Sequence, residues 1–169
     1  MQPSEIALIF DHLYWVRDRI LDAATAPGVT WPGTAPDDLL NLRATLVHEL
    51  DVEWSWRRRL TSPDATEFPA EDVELVPEDF PSVTSIRERW TGDEMELRAW
   101  LASLSAKALD GPCGAELSRS HPLWWHLQHL YSHAIQQLSN AAWLLSADGH
   151  SPGDLEFLSF VEARERGLA

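Results

Sequence analysis

The sequence predicts an all-α fold, because apolar residues recur at three- and four-residue spacing over four long stretches. No stretch of any length alternates apolar and polar residues with the period of two that is typical of a half-buried strand. The 169 residues suit a single domain, 1–169, built around one hydrophobic core. We therefore expect a four-helix bundle in which a long crossover joins the second and third helices.

The first two helices are predicted on either side of a proline- and glycine-rich connector. The first extends from about Pro3 to Ala26, with Ser4 as its expected cap. Its apolar face contains Ile6, Ile9, Phe10, Leu13, Val16 and Ile20. The second extends from about Pro36 to Thr61, after the cap residue Thr34. Its apolar stripe contains Leu39, Leu42, Leu46, Leu50 and Trp54.

Residues 62–82 are predicted to be the long connection. They contain four prolines and seven acidic residues, and no basic residue, which opposes a continuous helix. A segment of 21 residues can cross the length of a small bundle. We reject a domain boundary at this point, because each half of the chain would hold only two helices and too little core.

The third helix is predicted over about Val83 to Ser105, followed by a loop through Ser120. Its apolar positions are Ile86, Trp90, Leu97, Leu101 and Leu104. The fourth extends from His121 to about Asp148, and its 27 residues up to Ala147 contain no Asp, Glu, Lys or Arg. We expect this helix to be buried on nearly all sides, and its many polar residues exclude a membrane span. A short last helix is expected within Asp154–Arg166.

The overall composition excludes several classes of protein. With 13 Lys+Arg against 27 Asp+Glu, the net charge of −14 argues against binding to nucleic acid. The single Cys113 excludes an internal disulfide and a cysteine-rich zinc site, which favours a reducing cytoplasm. The N-terminus shows no basic region followed by an apolar run, so we expect no signal peptide.

Two arcs of the fourth helix differ in character. An apolar arc contains Leu123, Leu127, Leu130, Ala134, Leu138, Ala141 and Leu145. A polar but uncharged arc contains His126, His129, His133, Gln136, Gln137 and Asn140. Because His129 and His133 are four residues apart, their Cβ atoms are about 5–6 Å apart on one helix face, which lets both rings bind one metal ion. The polar arc therefore predicts a wet or metal-bearing cavity.

A third ligand must come from another helix, and His48 is the best placed. Helical geometry sets His48 opposite the leucine stripe of its helix, which is a difficulty for a bundle helix with one buried face. The difficulty is eased if the second helix is buried on both sides. The alternative is that His129 and His133 are core histidines that hydrogen-bond to a backbone carbonyl or a glutamine. We expect His12, His121 and His150 near helix ends or at the surface. The nine tryptophans are most simply core and interface residues, with Trp56, Trp124 and Trp125 as candidates for a cavity wall.

Other kinds of site are absent from the sequence. No Glu-x-x-His tetrapeptide of a ferritin-like di-iron centre occurs. His48-Glu49 begins like a zinc-protease motif, but Val52 stands where the second histidine would be required. The chain also has no nucleophile elbow, phosphate loop or dinucleotide fingerprint.

Four motifs, in their order and spacing, resemble the DinB/YfiT-like family of metalloenzymes over nearly the whole chain. Residues 14–21 resemble the family's pattern of aromatic-Trp-Ala-Asn-x-Arg followed by aliphatic residues, and 46–56 resemble its His in an aliphatic stretch followed by Glu and aromatics. The spacing His129-x3-His133-x2-Gln136 resembles the family's His-x3-His-Arg-Gly-Gln, and 149–155 resemble the tail that follows.

The resemblance implies a three-histidine metal site on His48, His129 and His133, in a bundle that is often a homodimer. Some relatives are transferases that use low-molecular-weight thiols. Ala134-Ile135 stand where the family often has Arg-Gly, so this chain lacks the arginine that could contact a substrate or partner at that position.

These observations together lead to one functional expectation and two alternatives. We expect a divalent metal, zinc first and nickel second, in a thiol-dependent S-transferase or related detoxification enzyme. The alternatives are a metal-dependent hydrolase and a non-enzymatic stress-response protein that binds a small molecule or metal. We expect four polar residues to orient a ligand imidazole or to line the cavity: Gln136, Gln137, Asn140 and His126. The excess of apolar surface on the second and fourth helices predicts a homodimer that binds neither nucleic acid nor membrane.

Overall fold

The protein is all-helical wherever its structure is described. The computed structural model describes residues 1–31, 41–61, 74–112 and 121–169. The helices in these ranges are α1 (Pro3–Ala24), α2 (Leu42–Thr61), α3 (Val83–Ser103), α4 (Ala106–Asp110), α5 (Leu123–Ala147) and α6 (Phe157–Glu165). The same ranges contain a 3-10 turn at Pro77–Asp79 and no strand. The all-α prediction is therefore confirmed.

Side chains that cap the helices set several of their starting points. The carboxylate of Glu5 accepts a hydrogen bond from the backbone N–H of Gln2, 2.7 Å away, so α1 begins right after Gln2 and the expectation that Ser4 is its cap is wrong. Oδ1 of Asn41 accepts a hydrogen bond of 2.8 Å from the backbone N–H of Ala44, and α2 begins at the residue after Asn41. The predicted start of this helix at Pro36, with Thr34 and Leu39, lies outside the described residues.

The later helix bounds follow the predicted ones closely, with one exception. The Oγ atom of Ser82 accepts from the backbone N–H of Ser85 at 3.1 Å and opens α3. Helix α4 was not expected, because five residues are too few to show a helical period. After α5 the chain turns at Gly149, whose φ of +84° suits glycine.

One hydrophobic core contains buried residues from α1 to α5. Helix α5 packs against both α1 and α2, and α3 also packs against α1 and α2. All seven residues of the predicted apolar arc of α5 are buried, which confirms that arc. The predicted apolar positions of α1 and α3 are buried as well, except for Ile9 and Leu104, which are half-buried. Among the described helices, none combines the length and the hydropathy that a membrane-spanning helix requires.

The expectation that α5 is buried on nearly all sides is wrong for the single chain. Its outer face is exposed, and Trp125 and Trp143 retain 48% and 69% of their accessible surface. The remaining exposed residues of this face are His129, Ser132, Gln136, Ser139, Asn140, Ser146 and Ala147. The absence of charge from a helix therefore does not by itself mean that the helix is buried, because serine, glutamine and asparagine also face water.

The second half of the predicted connection packs onto the helices, whereas 62–73 lie outside the described residues. The backbone N–H of Leu75 donates to Oδ1 of Asp51 on α2 at 2.9 Å. The indole N–H of Trp31 donates to the carbonyl of Phe80 at 3.0 Å, and the ring of Phe80 is buried. This part of the connection is therefore anchored to α2 and to the segment that follows α1.

Candidate metal centre

The candidate centre lies where His48 on α2 meets His133 on α5. Their ring centroids are 5.7 Å apart and their planes are inclined by 62°. Two imidazoles that bind one tetrahedral zinc ion have centroids about 5 Å apart, so the spacing is close to that of a shared ion. His48 is exposed and reaches α5 from the edge of α2. The second helix therefore does not need burial on both sides, contrary to the sequence-based expectation.

The carboxylate of Glu49 lies within hydrogen-bond distance of the ring of His133. Oε2 of Glu49 lies 2.8 Å from Nδ1 of His133. Glu49 is fully buried, whereas the side chain of His133 is 24% exposed. When Nδ1 carries the proton and donates a hydrogen bond to this oxygen, Nε2 keeps its lone pair for a metal. Metal-bound histidines usually make such an outer contact to a carboxylate.

The electrostatics of this pair favour a nearby cation. Burial, and next the neighbouring Glu53, raise the pKa of Glu49 well above its usual value. Burial also lowers the pKa of His133, so the imidazole is disfavoured as a positive partner. Oε1 of Glu49 is buried and has no hydrogen-bond partner among the described residues. A buried carboxylate with an unused oxygen is stabilised by positive charge close by, so this donor set fits a divalent cation.

His129 lies one helical turn from His133 and is exposed. Its ring contacts Trp56 on α2, with centroids 5.5 Å apart in an edge-to-face arrangement. Within the described residues, no three His, Cys, Asp or Glu side chains are grouped so that they could hold one metal ion. The structure thus brings two of the three predicted ligands into contact and leaves the third on the adjacent turn.

The four residues predicted to orient the ligands or to line the cavity differ in their exposure to solvent. Gln136 and Asn140 are exposed, and Gln137 is half-buried with its Oε1 atom buried and without a hydrogen-bond partner. Among the described residues, none of these three hydrogen-bonds to His48, His129 or His133. His126 is half-buried and stacks on Trp56, with centroids 5.9 Å apart.

Sequence reasoning missed Glu49 as the residue that contacts a predicted ligand. A signal was available, because Glu49 lies beside Leu46 and Leu50 on the buried face of α2. Glu53 and Arg57 follow on the same face at four-residue spacing. Charged residues that recur on an apolar face require specific partners inside the protein.

The buried polar ladder of Glu49, Glu53 and Arg57 joins α2 to three other helices. The hydroxyl of Tyr14 on α1 donates to Glu53 at 2.6 Å, and the indole N–H of Trp90 on α3 donates to the same carboxylate at 3.0 Å. Arg57 pairs with Asp93 on α3 at 2.7 Å. These contacts fix the rotation of α2, which in turn positions His48 and Glu49 against α5.

Aromatic rings also contact histidines of α5 and of the segment just before it. Trp56 contacts His126 and His129, and the guanidinium carbon of Arg59 lies 5.6 Å from its ring centroid. Trp125 stacks on His121 at 5.1 Å and also contacts Trp124. Of the three candidates for a cavity wall, Trp56 is therefore the one in contact with a predicted ligand.

His12 is not at a helix end or at the surface, and that expectation is wrong. Its side chain lies in the middle of α1 and is buried. Nδ1 is 3.0 Å from the hydroxyl of Tyr131 on α5, and Nε2 is 3.0 Å from the carbonyl of Leu155. His12 therefore anchors the segment before α6 to α1 and α5. His121 is exposed and His150 is half-buried, close to their expected places.

Comparison with known proteins adds no relative. No family model matches the chain, and no curated protein sequence matches it. The resemblance to the DinB/YfiT-like family therefore depends on the four sequence motifs alone.

Proposed function

We propose that this protein is a DinB/YfiT-like metalloenzyme, a four-helix bundle that binds a divalent cation through His48, His129 and His133. The observation that supports it best is the contact of His48 with His133, whose Nδ1 atom is held by the buried carboxylate of Glu49. His129 would complete the ligand set from the adjacent turn of α5. Zinc is the first choice of metal, and nickel also suits imidazole ligands.

The proposed activity is that of a thiol-dependent S-transferase or related detoxification enzyme. When bound, the cation supplies Lewis acidity that lowers the pKa of a thiol or water at its open position. His48 and His129 are exposed, so a thiol and an electrophile can reach the centre from solvent. Trp56, packed against His129, offers an apolar surface beside it.

The replacement of the family's Arg-Gly by Ala134-Ile135 restricts how a co-substrate is held. Ala134 is fully buried in the apolar arc of α5, so it cannot contact a substrate, and Ile135 is half-buried and uncharged. Any anionic group of the thiol must then be bound elsewhere. We therefore expect a thiol preference that differs from that of relatives that retain the arginine.

Two alternatives use the same residues. A metal-dependent hydrolase would activate water at the centre, and a stress-response protein would bind a small molecule or metal without turnover. The site offers no separate feature that favours either alternative, whereas the exposed position of His48 and His129 suits a second substrate. We further propose a cytoplasmic location, since the single Cys113 suits a reducing compartment, and a homodimeric assembly.

A panel of substrates separates these activities. Zinc- and nickel-loaded protein is incubated with an activated aryl halide and, in turn, glutathione, cysteine and other small thiols, and loss of free thiol is measured. We expect thiol-dependent turnover that disappears in His133→Ala. Hydrolysis of an activated ester without any thiol requirement would instead establish the hydrolase. Full metal occupancy without either turnover would overturn the enzymatic proposal in favour of a binding protein.

A further inference from the structure

The outer face of α5 differs from the exposed surfaces of the other long helices. Trp125 and Trp143 are 18 residues apart, which corresponds to five complete turns and about 27 Å along the helix. Ala134 is midway between them and is fully buried, so both indoles lie on the side of α5 opposite the core. Between the two tryptophans this face displays Ser132 and Gln136.

This face carries no charge on a strongly acidic protein. The chain has a net charge of −14, yet α5 contains no Asp, Glu, Lys or Arg. The exposed positions of α1 include Glu5 and Asp22, and those of α3 include Glu88 and Glu96. Two copies of an acidic chain repel each other wherever their carboxylates meet, so an uncharged face is where they can approach.

We propose that two copies of this chain pair through the outer face of α5 about a two-fold axis near position 134. This inference builds on the homodimer of the proposed function and is independent of the metal chemistry. A two-fold axis perpendicular to the helix pairs the two α5 helices antiparallel. Trp125 of each copy then lies opposite Trp143 of the other, and Ser132 lies opposite Gln136.

The face is self-complementary in shape and chemistry under this pairing. The bulky indoles meet each other at both ends, where large exposed aromatic rings are typical anchors of an interface. The smaller Ser132 and Ser139 lie between them and allow close packing of the helices. Serine, glutamine and asparagine side chains can satisfy one another by hydrogen bonds across the axis.

A second copy fits this face better than an unrelated partner. A basic partner would be attracted to the acidic surfaces of α1 and α3 rather than to an uncharged helix. A membrane would require a continuous apolar face, whereas Ser132, Gln136, Ser139 and Asn140 occupy the middle of this one. His129 lies at the edge of the face, so the pairing places a second chain next to the candidate metal centre.

Sedimentation equilibrium of the full chain at micromolar concentration, with and without EDTA, tests the proposal. We expect the wild type at twice the chain mass of 19.1 kDa under both conditions. Trp143→Glu sets a carboxylate into each end of the interface and should yield monomer. The matched control is Met95→Glu, because Met95 is 68% exposed on α3, outside the proposed face, and this variant should stay dimeric.

A wild type that sediments at the mass of one chain would overturn the proposal, as would a dimer that survives both Trp143→Glu and Trp125→Glu. Circular dichroism confirms that each variant is folded. Cross-linking provides a second measurement in case a glutamate variant does not fold. In a Cys113→Ser background, Gln136→Cys should form a covalent dimer with a short bis-maleimide. Met95→Cys in the same background should not. Equal cross-linking of both would contradict the proposal. Two further measurements distinguish failure of the dimer from failure of the metal site. Trp143→Glu should be monomeric but retain its zinc, and His133→Ala should lose its zinc but remain dimeric.

Discussion

Removal of the Glu49 carboxylate should weaken metal binding without weakening the fold. Its contact to His133 is a single hydrogen bond of 2.8 Å, which is charge-assisted when the carboxylate is ionised, and such bonds are worth about 1.5–3 kcal/mol. Loss of an outer-shell partner typically costs about 10- to 100-fold in metal affinity, which is about 1.4–2.7 kcal/mol. The two figures agree. We therefore expect Glu49→Gln, which retains an acceptor oxygen, near the tenfold end and Glu49→Leu near the hundredfold end.

The fold itself should tolerate these changes. Oε1 of Glu49 is buried without a hydrogen-bond partner among the described residues, so the metal-free protein loses little when the carboxylate is removed. The free energy of unfolding of the metal-free Glu49→Gln variant should equal or exceed that of the wild type. Competition with a chromophoric zinc chelator measures the affinity, and urea unfolding in EDTA measures the stability.

Glu53→Gln is the matched control, since Glu53 is also buried on α2, one turn from Glu49. Its carboxylate accepts from Tyr14 and Trp90 instead of from a predicted ligand. Glutamine keeps the volume and one acceptor oxygen of Glu53, so α2 should stay in place while the protein loses stability. Its zinc affinity should not fall, because removal of the Glu53 charge takes away a contribution that raises the pKa of Glu49. A folded Glu49→Leu protein with the zinc affinity of the wild type would refute the assigned role of Glu49.

Two further predictions concern the fold around the site. Tyr14→Phe removes the donor to buried Glu53 and should lower the free energy of unfolding by about 1.5–3 kcal/mol in urea titrations, and a loss under about 0.5 kcal/mol would contradict the described contact. Burial lowers the pKa of His12, so the folded state favours the neutral ring. The stability this provides is present above the usual histidine pKa of about 6.5 and is lost as the pH falls through the lowered pKa of His12. Thermal midpoints of His12→Gln should therefore fall less on acidification than those of the wild type and of the exposed control His121→Gln, and parallel curves would contradict this.

The sequence predicted the helices well, because their periodic patterns depend on a buried core. The seven-residue arc of α5 is buried as predicted, since one apolar residue per turn leaves a helix a single way to face the interior. The start of α2 could not be located in the same way. A cap depends on one local hydrogen bond, here from Asn41, which competes with other polar residues nearby.

The candidate site was predicted less completely, because periodicity does not indicate which polar groups meet across helices. The position of His48 opposite the leucine stripe suggests a second helix that is buried on both sides. In the structure, His48 instead reaches His133 from an exposed edge of α2. His12 was expected near the surface, yet two partners from distant parts of the chain satisfy it inside the core. Glu49 was overlooked because a carboxylate beside leucines in sequence is usually read as solvated. Such partners become visible only when the helices are packed together.

The metal content of four proteins tests the central claim most directly. Wild type, His48→Ala, His129→Ala and His133→Ala are purified without a histidine tag or added metal, and zinc and nickel are measured by elemental analysis alongside protein concentration. We predict one divalent ion per wild-type chain and a clear loss of metal in each folded variant. A wild type that contains no metal and takes up none on titration, or metal content unchanged by all three replacements, would contradict the account.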